Sequence, residues 1–130
     1  LQPGELAVAS DEGTTAQAAV AFERVAAPAS AARVYDAMLA RWPGNLVAAI
    51  GAGNTRVVGG DVDGAMRAFE AAAMRHDSAV AWNNLAMLRW QRGDAAGATA
   101  ALTNAERRVS TAEPAFAAAV QATRRTIEAR

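Results

Sequence analysis

One dipeptide organises this chain: Gly-Asp stands at Gly60-Asp61 and again at Gly93-Asp94, each time between two stretches that read as helix. Glycine takes the left-handed conformation that ends a helix, and the aspartate after it accepts backbone N–H bonds that start the next. Each joint therefore predicts a helical hairpin. The register extends beyond the joint: Gly53 and Ala65 recur as Ala86 and Ala98, Phe69 as Leu102, and Ala72 as Ala105. The same spacing carried upstream finds Ala19, Ala31, Tyr35 and Met38, with Ala27-Pro28 in place of the Gly-Asp joint. Proline fixes φ for a first helical turn and drives the residue before it out of the α region, so it breaks and restarts a helix much as glycine does. Three hairpins in line are expected.

Small residues set how closely the helices approach. Ala19 and Ala31, Gly53 and Ala65, and Ala86 and Ala98 are placed to face each other across their hairpins, where a larger side chain would splay the pair. Phe22, Tyr35, Phe69, Trp82, Leu85 and Leu102 are then expected between neighbouring hairpins. Each such side chain contributes about 1.5–3 kcal/mol when fully buried. Alanine dominates the apolar half of the composition and β-branched runs are sparse, which predicts an all-α chain. Helices are expected at 14–26, 29–41, 46–58, 62–75, 79–91, 95–108 and 114–129, seven in all. In the last of these Phe116, Val120, Thr123 and Ile127 form one apolar stripe, with Arg124, Arg125 and Glu128 off it, as befits a helix that closes the end of an array.

This pattern of Trp82, Leu85, Ala86, the Gly93-Asp94 turn, Ala98, Leu102 and Ala105 resembles the tetratricopeptide repeat (TPR), a two-helix unit of about 34 residues. A second copy is carried by Gly53, Ala65, Phe69 and Ala72, with Asp77 where the repeat has proline, and a first by Phe22 and Pro43. The resemblance implies an α-solenoid of three hairpins at about 12–44, 45–78 and 79–112, a capping helix at 113–130, and an N-terminal arm or linker at 1–11. Arg56 and Arg89 stand where the repeat usually has an aromatic residue, and their guanidiniums are expected to snorkel outward.

Several chemistries find no support. Thirteen basic residues, all arginine, balance thirteen acidic ones, and their scatter leaves no footprint for nucleic acid or an anionic membrane. The absence of lysine points to a GC-rich bacterial genome. No cysteine is present, so thiolate metal sites and disulfides are excluded. No apolar run approaches the roughly 20 residues of a membrane span. His76 beside Asp77 lacks a placed nucleophile and reads as a helix end followed by a cap at Asp77 or Ser78. Asp61, Asp63 and Asp94 lack calcium-loop spacing and read as caps and turns. Gly51, Gly53, Gly59 and Gly60 have neither the lysine nor the preceding strand of a phosphate-binding loop. No catalytic residue, metal or cofactor is assigned, and a stand-alone enzyme is not expected.

Binding of a protein or peptide is the function that remains. In TPR proteins the first helix of each hairpin lines a concave groove, which the resemblance places at Ile50, Asn54 and Val57 beside Asn83, Asn84, Met87, Trp90 and Gln91. Asparagine amides serve a peptide backbone as donor and acceptor, and Met87 and Trp90 offer adaptable apolar contact. Asn54 and Asn84 match the asparagine pair of repeats that clamp a C-terminal carboxylate, but Ile50 replaces a clamp lysine. Self-association through an exposed end or the groove is a further reading. The opening Pro-Gly-Glu-Leu and Trp42-Pro43 also resemble the C-terminal repeat region of bacterial envelope proteins with an upstream papain-like, double-glycine-type peptidase domain. That resemblance implies an auxiliary or assembly role in the cell envelope, whereas a free TPR module would suit the cytoplasm. A chain opening at Leu1 is expected to be a fragment or processed product.

Overall fold

The structure, a computed structural model, describes residues 28–110 and 113–129. Six helices occur among the described residues, and no strand: α1 (Pro28–Arg41), α2 (Leu46–Val58), α3 (Val62–His76), α4 (Ala79–Gln91), α5 (Ala95–Arg108) and α6 (Pro114–Glu128). Each lies within a residue of its expected bounds at both ends. The expected helix at 14–26 and the arm at 1–11 lie outside the described residues. The chain divides into two compact units, Leu1–Ala68 and Phe69–Arg130, with the division inside α3.

In the first unit α1 packs against α2. Val34, Tyr35 and Met38 from α1 meet Ala48 and Ala52 from α2, with Ala37, Leu39 and Trp42 packed at the edge. The large side chains come from one helix and the small ones from the other, which lets the backbones approach without leaving voids. Gly51 marks a close approach of the two helices, because a β-carbon there would enter the Tyr35 ring. Asn45 caps α2 by accepting from Ala48 N at 2.9 Å. Thr55, buried on the same helix, donates its hydroxyl proton to the Gly51 carbonyl at 2.8 Å. The Arg41 guanidinium lies over the Trp42 ring, 4.8 Å from its centre.

The two Gly-Asp joints are copies of each other. Gly60 has φ +85° and Gly93 φ +83°. Asp61 N donates to Arg56 O at 2.8 Å and Asp94 N to Arg89 O at 2.9 Å, the bond that wraps the last turn of a helix around a left-handed glycine. Each aspartate then starts the next helix: Asp61 accepts from Gly64 N and Asp94 from Gly97 N, both at 2.9 Å. Gly64 and Gly97 belong to the joint as well, since a β-carbon at either would strike the capping carboxylate.

In the second unit α4 packs against α5, and α6 lies on both. Phe69, Leu85, Ala86, Ala98, Leu102 and Ala105 are fully buried, as expected of large fillers and small contact residues. Ala31, Gly53 and Ala65 are buried in the first unit. Trp82 departs from the expected packing. It is only half-buried, and its indole N–H donates to Asp77 at 2.9 Å. Of the two expected cap residues, Ser78 takes the role, accepting from Ala81 N at 3.4 Å. Asp77 instead adopts φ +50° and ion-pairs with Arg108. An aspartate tolerates this left-handed turn better than most residues, and here it adds two tethers that proline lacks.

The arginines at the aromatic positions do not snorkel outward. Arg56 donates to Ala52 O at 2.9 Å and to Asp36 on α1 at 2.7 Å. Arg89 donates to Gly97 O at 3.2 Å and reaches Glu70 on α3 at 3.8 Å. Both side chains turn onto neighbouring helices because partners stand within reach there, and only about a quarter or less of each side chain is exposed.

Candidate functional site

The residues expected to bind lie on α2 in one unit and on α4 in the other. On α2, Ile50, Asn54 and Val57 are spaced to share one helical face. The opposite side, with Ala48, Ala52 and Thr55, is spent on the core. Asn54 is exposed, Ile50 half-buried and Val57 39% exposed. Val47 at 48% and Val58 at 73% extend this aliphatic surface along the helix. Sequence periodicity did not single out these last two valines, although an apolar residue at each end of an otherwise core-facing helix was visible.

On α4 the spacing brings Asn83, Met87 and Trp90 onto one face, with Asn84 and Gln91 beside it. Asn84, Met87 and Trp90 are half-buried and Gln91 is exposed. Asn83 departs from the expectation of an open groove residue. It is buried at 7% exposure, and its Oδ1 has no hydrogen-bond partner among the described residues. Such an orphaned acceptor costs about 1–3 kcal/mol, so Asn83 is paid for by the packing around it and does not act as an open contact.

Charge is missing from both faces for a structural reason. Arg56 is the one charged residue of α2 and Arg89 the one charged residue of α4. The Arg56 guanidinium is held by Asp36 on α1 and by the Ala52 carbonyl of its own helix, and the Arg89 guanidinium by Glu70 on α3 and the Gly97 carbonyl on α5. What is left to solvent on these faces is aliphatic, thioether, indole and amide. Amides can donate to and accept from a peptide backbone, and aliphatic or thioether surface can take up apolar side chains.

The acidic residues considered for chemistry are engaged elsewhere. The Asp61 and Asp94 carboxylates cap helices. The Asp77 carboxylate is engaged by Arg108 and by the Trp82 indole N–H, whose hydrogen bonds hold its carboxyl below its ordinary range. His76 is half-buried at the end of α3, its Nε2 without a partner among the described residues. No cluster of three potential metal ligands occurs among the described residues, and no described helix is long and apolar enough to cross a membrane.

A scan against protein-family models finds no match, and a search of curated proteins finds none. Solved structures do match. The type III secretion chaperone SycD of Yersinia enterocolitica, in complex with a peptide of the translocator YopD, is similar with a TM-score of 0.80, at 17% identity over 89% of this chain and 91% of that one. The TPR domain of Sgt2 from Aspergillus fumigatus is similar with a TM-score of 0.72, at 20% identity over 90% of this chain and 79% of that one. The chain has the TPR fold. At these identities the likeness reports backbone architecture, kept here with arginine at two positions where the repeat usually has an aromatic. Asp36 and Glu70 supply the partners that hold those arginines against the helices.

Proposed function

We propose that this TPR chain is a non-catalytic protein–protein interaction module that binds a neutral, aliphatic peptide or protein segment on the exposed face of α2 and on the half-buried face of α4 that ends in the exposed Gln91. The observation that carries this reading is the withdrawal of charge. With Arg56 and Arg89 turned onto neighbouring helices, each face offers apolar and amide groups alone. The likeness to SycD supports it, because that chaperone is seen with a peptide bound. An acidic tail or a C-terminal carboxylate is a poor fit, since Ile50 stands where a clamp would need lysine and no free cation lies on either helix. In this reading the array comprises three hairpins, at about 12–44, 45–78 and 79–112, closed by a helix at 113–130, and the contacts are made by Ile50, Asn54, Val57, Asn84, Met87, Trp90 and Gln91.

The test uses the whole chain immobilised against an extract of the source cells, followed by calorimetric titration of any captured protein. Val57→Glu on α2 and Asn84→Ala with Trp90→Ala on α4 should each weaken binding at least tenfold while leaving the helical circular dichroism intact. Undiminished affinity in both variants would remove these faces from the account.

A further inference from the structure

Helix α6 is built differently from the helices it covers. Asn45, Asp61, Ser78 and Asp94 cap the starts of α2, α3, α4 and α5 with side-chain hydrogen bonds. Glu113, at the start of α6, makes none. Burial is also narrow. Val120, Thr123 and Ile127 are buried and Phe116 is half-buried, while the alanines at 115, 118, 119 and 122 are exposed. Two buried aliphatic side chains offset only a small part of the backbone entropy lost by fifteen ordered residues.

What this helix has in compensation is one clasp. Arg124 Nε and Nη2 donate to the two carboxylate oxygens of Glu106 on α5, each at 2.6 Å. Glu128, one turn further along α6, accepts from Arg124 Nη1 at 2.8 Å and holds the guanidinium in the orientation the clasp needs. Parallel hydrogen bonds between guanidinium and carboxylate are the strongest and most directional that two side chains make. The clasp is about one-third exposed, so dissolved salt reaches it.

We infer that α6 is a strap that lifts from α4 and α5 as a unit, before the rest of its own compact unit opens, and that the Arg124–Glu106 clasp sets how often it does so. Segments with few buried contacts and weak ends occupy the low-stability end of a folded chain, where opening is local and not global. Lifting uncovers the faces of α4 and α5 on which α6 lies. The inference concerns the opening of α6 and is read without any peptide present.

Hydrogen–deuterium exchange of the whole chain, read peptide by peptide by mass spectrometry, tests it. Amides of α6 should exchange at least tenfold faster than those of α4 and α5. Arg124→Met and Glu106→Gln should each accelerate α6 roughly three- to tenfold and leave α4 and α5 within twofold, whereas Arg125→Met, at an exposed neighbour, should change nothing. Raising NaCl to about 1 M should accelerate α6 in the unaltered chain, a readout that holds even if a variant folds poorly. Exchange of α6 in step with α4 and α5, under salt or in either variant, overturns the inference.

Discussion

Arg56 on α2 donates to Asp36 on α1 at 2.7 Å, and one repeat later Arg89 on α4 reaches Glu70 on α3 at 3.8 Å. An arginine in the first helix of a repeat reaches back to an acid on the helix before it, and Arg124 on α6 does the same toward Glu106 on α5. Aromatic packing, usual at the first two positions, is replaced by ionic contact. The consequence for function is that the only charges on α2 and α4 never reach their exposed faces.

Because the Asp36–Arg56 pair is partly exposed, its coupling should be modest. A double-mutant cycle of Asp36→Asn and Arg56→Gln, followed by urea unfolding, should give about 0.5–1 kcal/mol, shrinking as salt is added. A coupling indistinguishable from zero at low salt would show that the two side chains do not act together.

Gly51 should be the least replaceable small residue of the first unit. A β-carbon there meets the buried Tyr35 ring, so Gly51→Ala should destabilise by about 1–3 kcal/mol, despite the helix propensity that alanine brings. Thermal unfolding of Gly51→Ala in a Tyr35→Leu background should recover much of the loss. If it recovers nothing, the close approach lies elsewhere.

Acid should loosen the second unit through two carboxylates. Hydrogen bonds from Arg124 hold the Glu106 carboxyl below its ordinary range, and those from Arg108 and then Trp82 do the same at Asp77. A depressed folded-state pKa means that folding favours the ionised form. The stabilisation is therefore complete above the unfolded values of about 4 and is lost as pH falls through the folded ones. Urea midpoints measured between pH 7 and pH 3 should fall less steeply for Glu106→Gln, and less steeply again with Asp77→Asn added. Parallel slopes in all three chains would contradict this.

Asp77 carries a second prediction through its backbone. At φ +50° an alanine is strained and loses both side-chain tethers, whereas asparagine tolerates the conformation and keeps an acceptor for Trp82. Melting temperatures should rank Asp77 above Asp77→Asn, and Asp77→Asn above Asp77→Ala.

Much of this was legible in the sequence because it is local. The Gly60-Asp61 and Gly93-Asp94 joints encode their conformation within a few residues, and the helix ends follow from them. Ala65, Ala86 and Ala98 are buried where their register places them. The misses concern what a neighbouring helix supplies. Nothing along α2 or α4 tells that Asp36 and Glu70 stand within reach of Arg56 and Arg89. Asn83 and Asn84 are adjacent in sequence, yet one is buried and the other half-buried, because helical periodicity gives a face and not what covers it. At Asp77 the repeat pattern predicted only a missing proline, while the tethers depend on Arg108 at the far end of the next hairpin.

The exposed faces of α2 and α4 can be tested together by placing a photo-crosslinking amino acid at Val57, at Gln91 and, as a control, at Met74, which is 73% exposed on α3. On irradiation in the source cells, Val57 and Gln91 should each capture the same partner protein and Met74 should not. Capture from Met74 alone, or of unrelated proteins from the other two positions, would contradict the account.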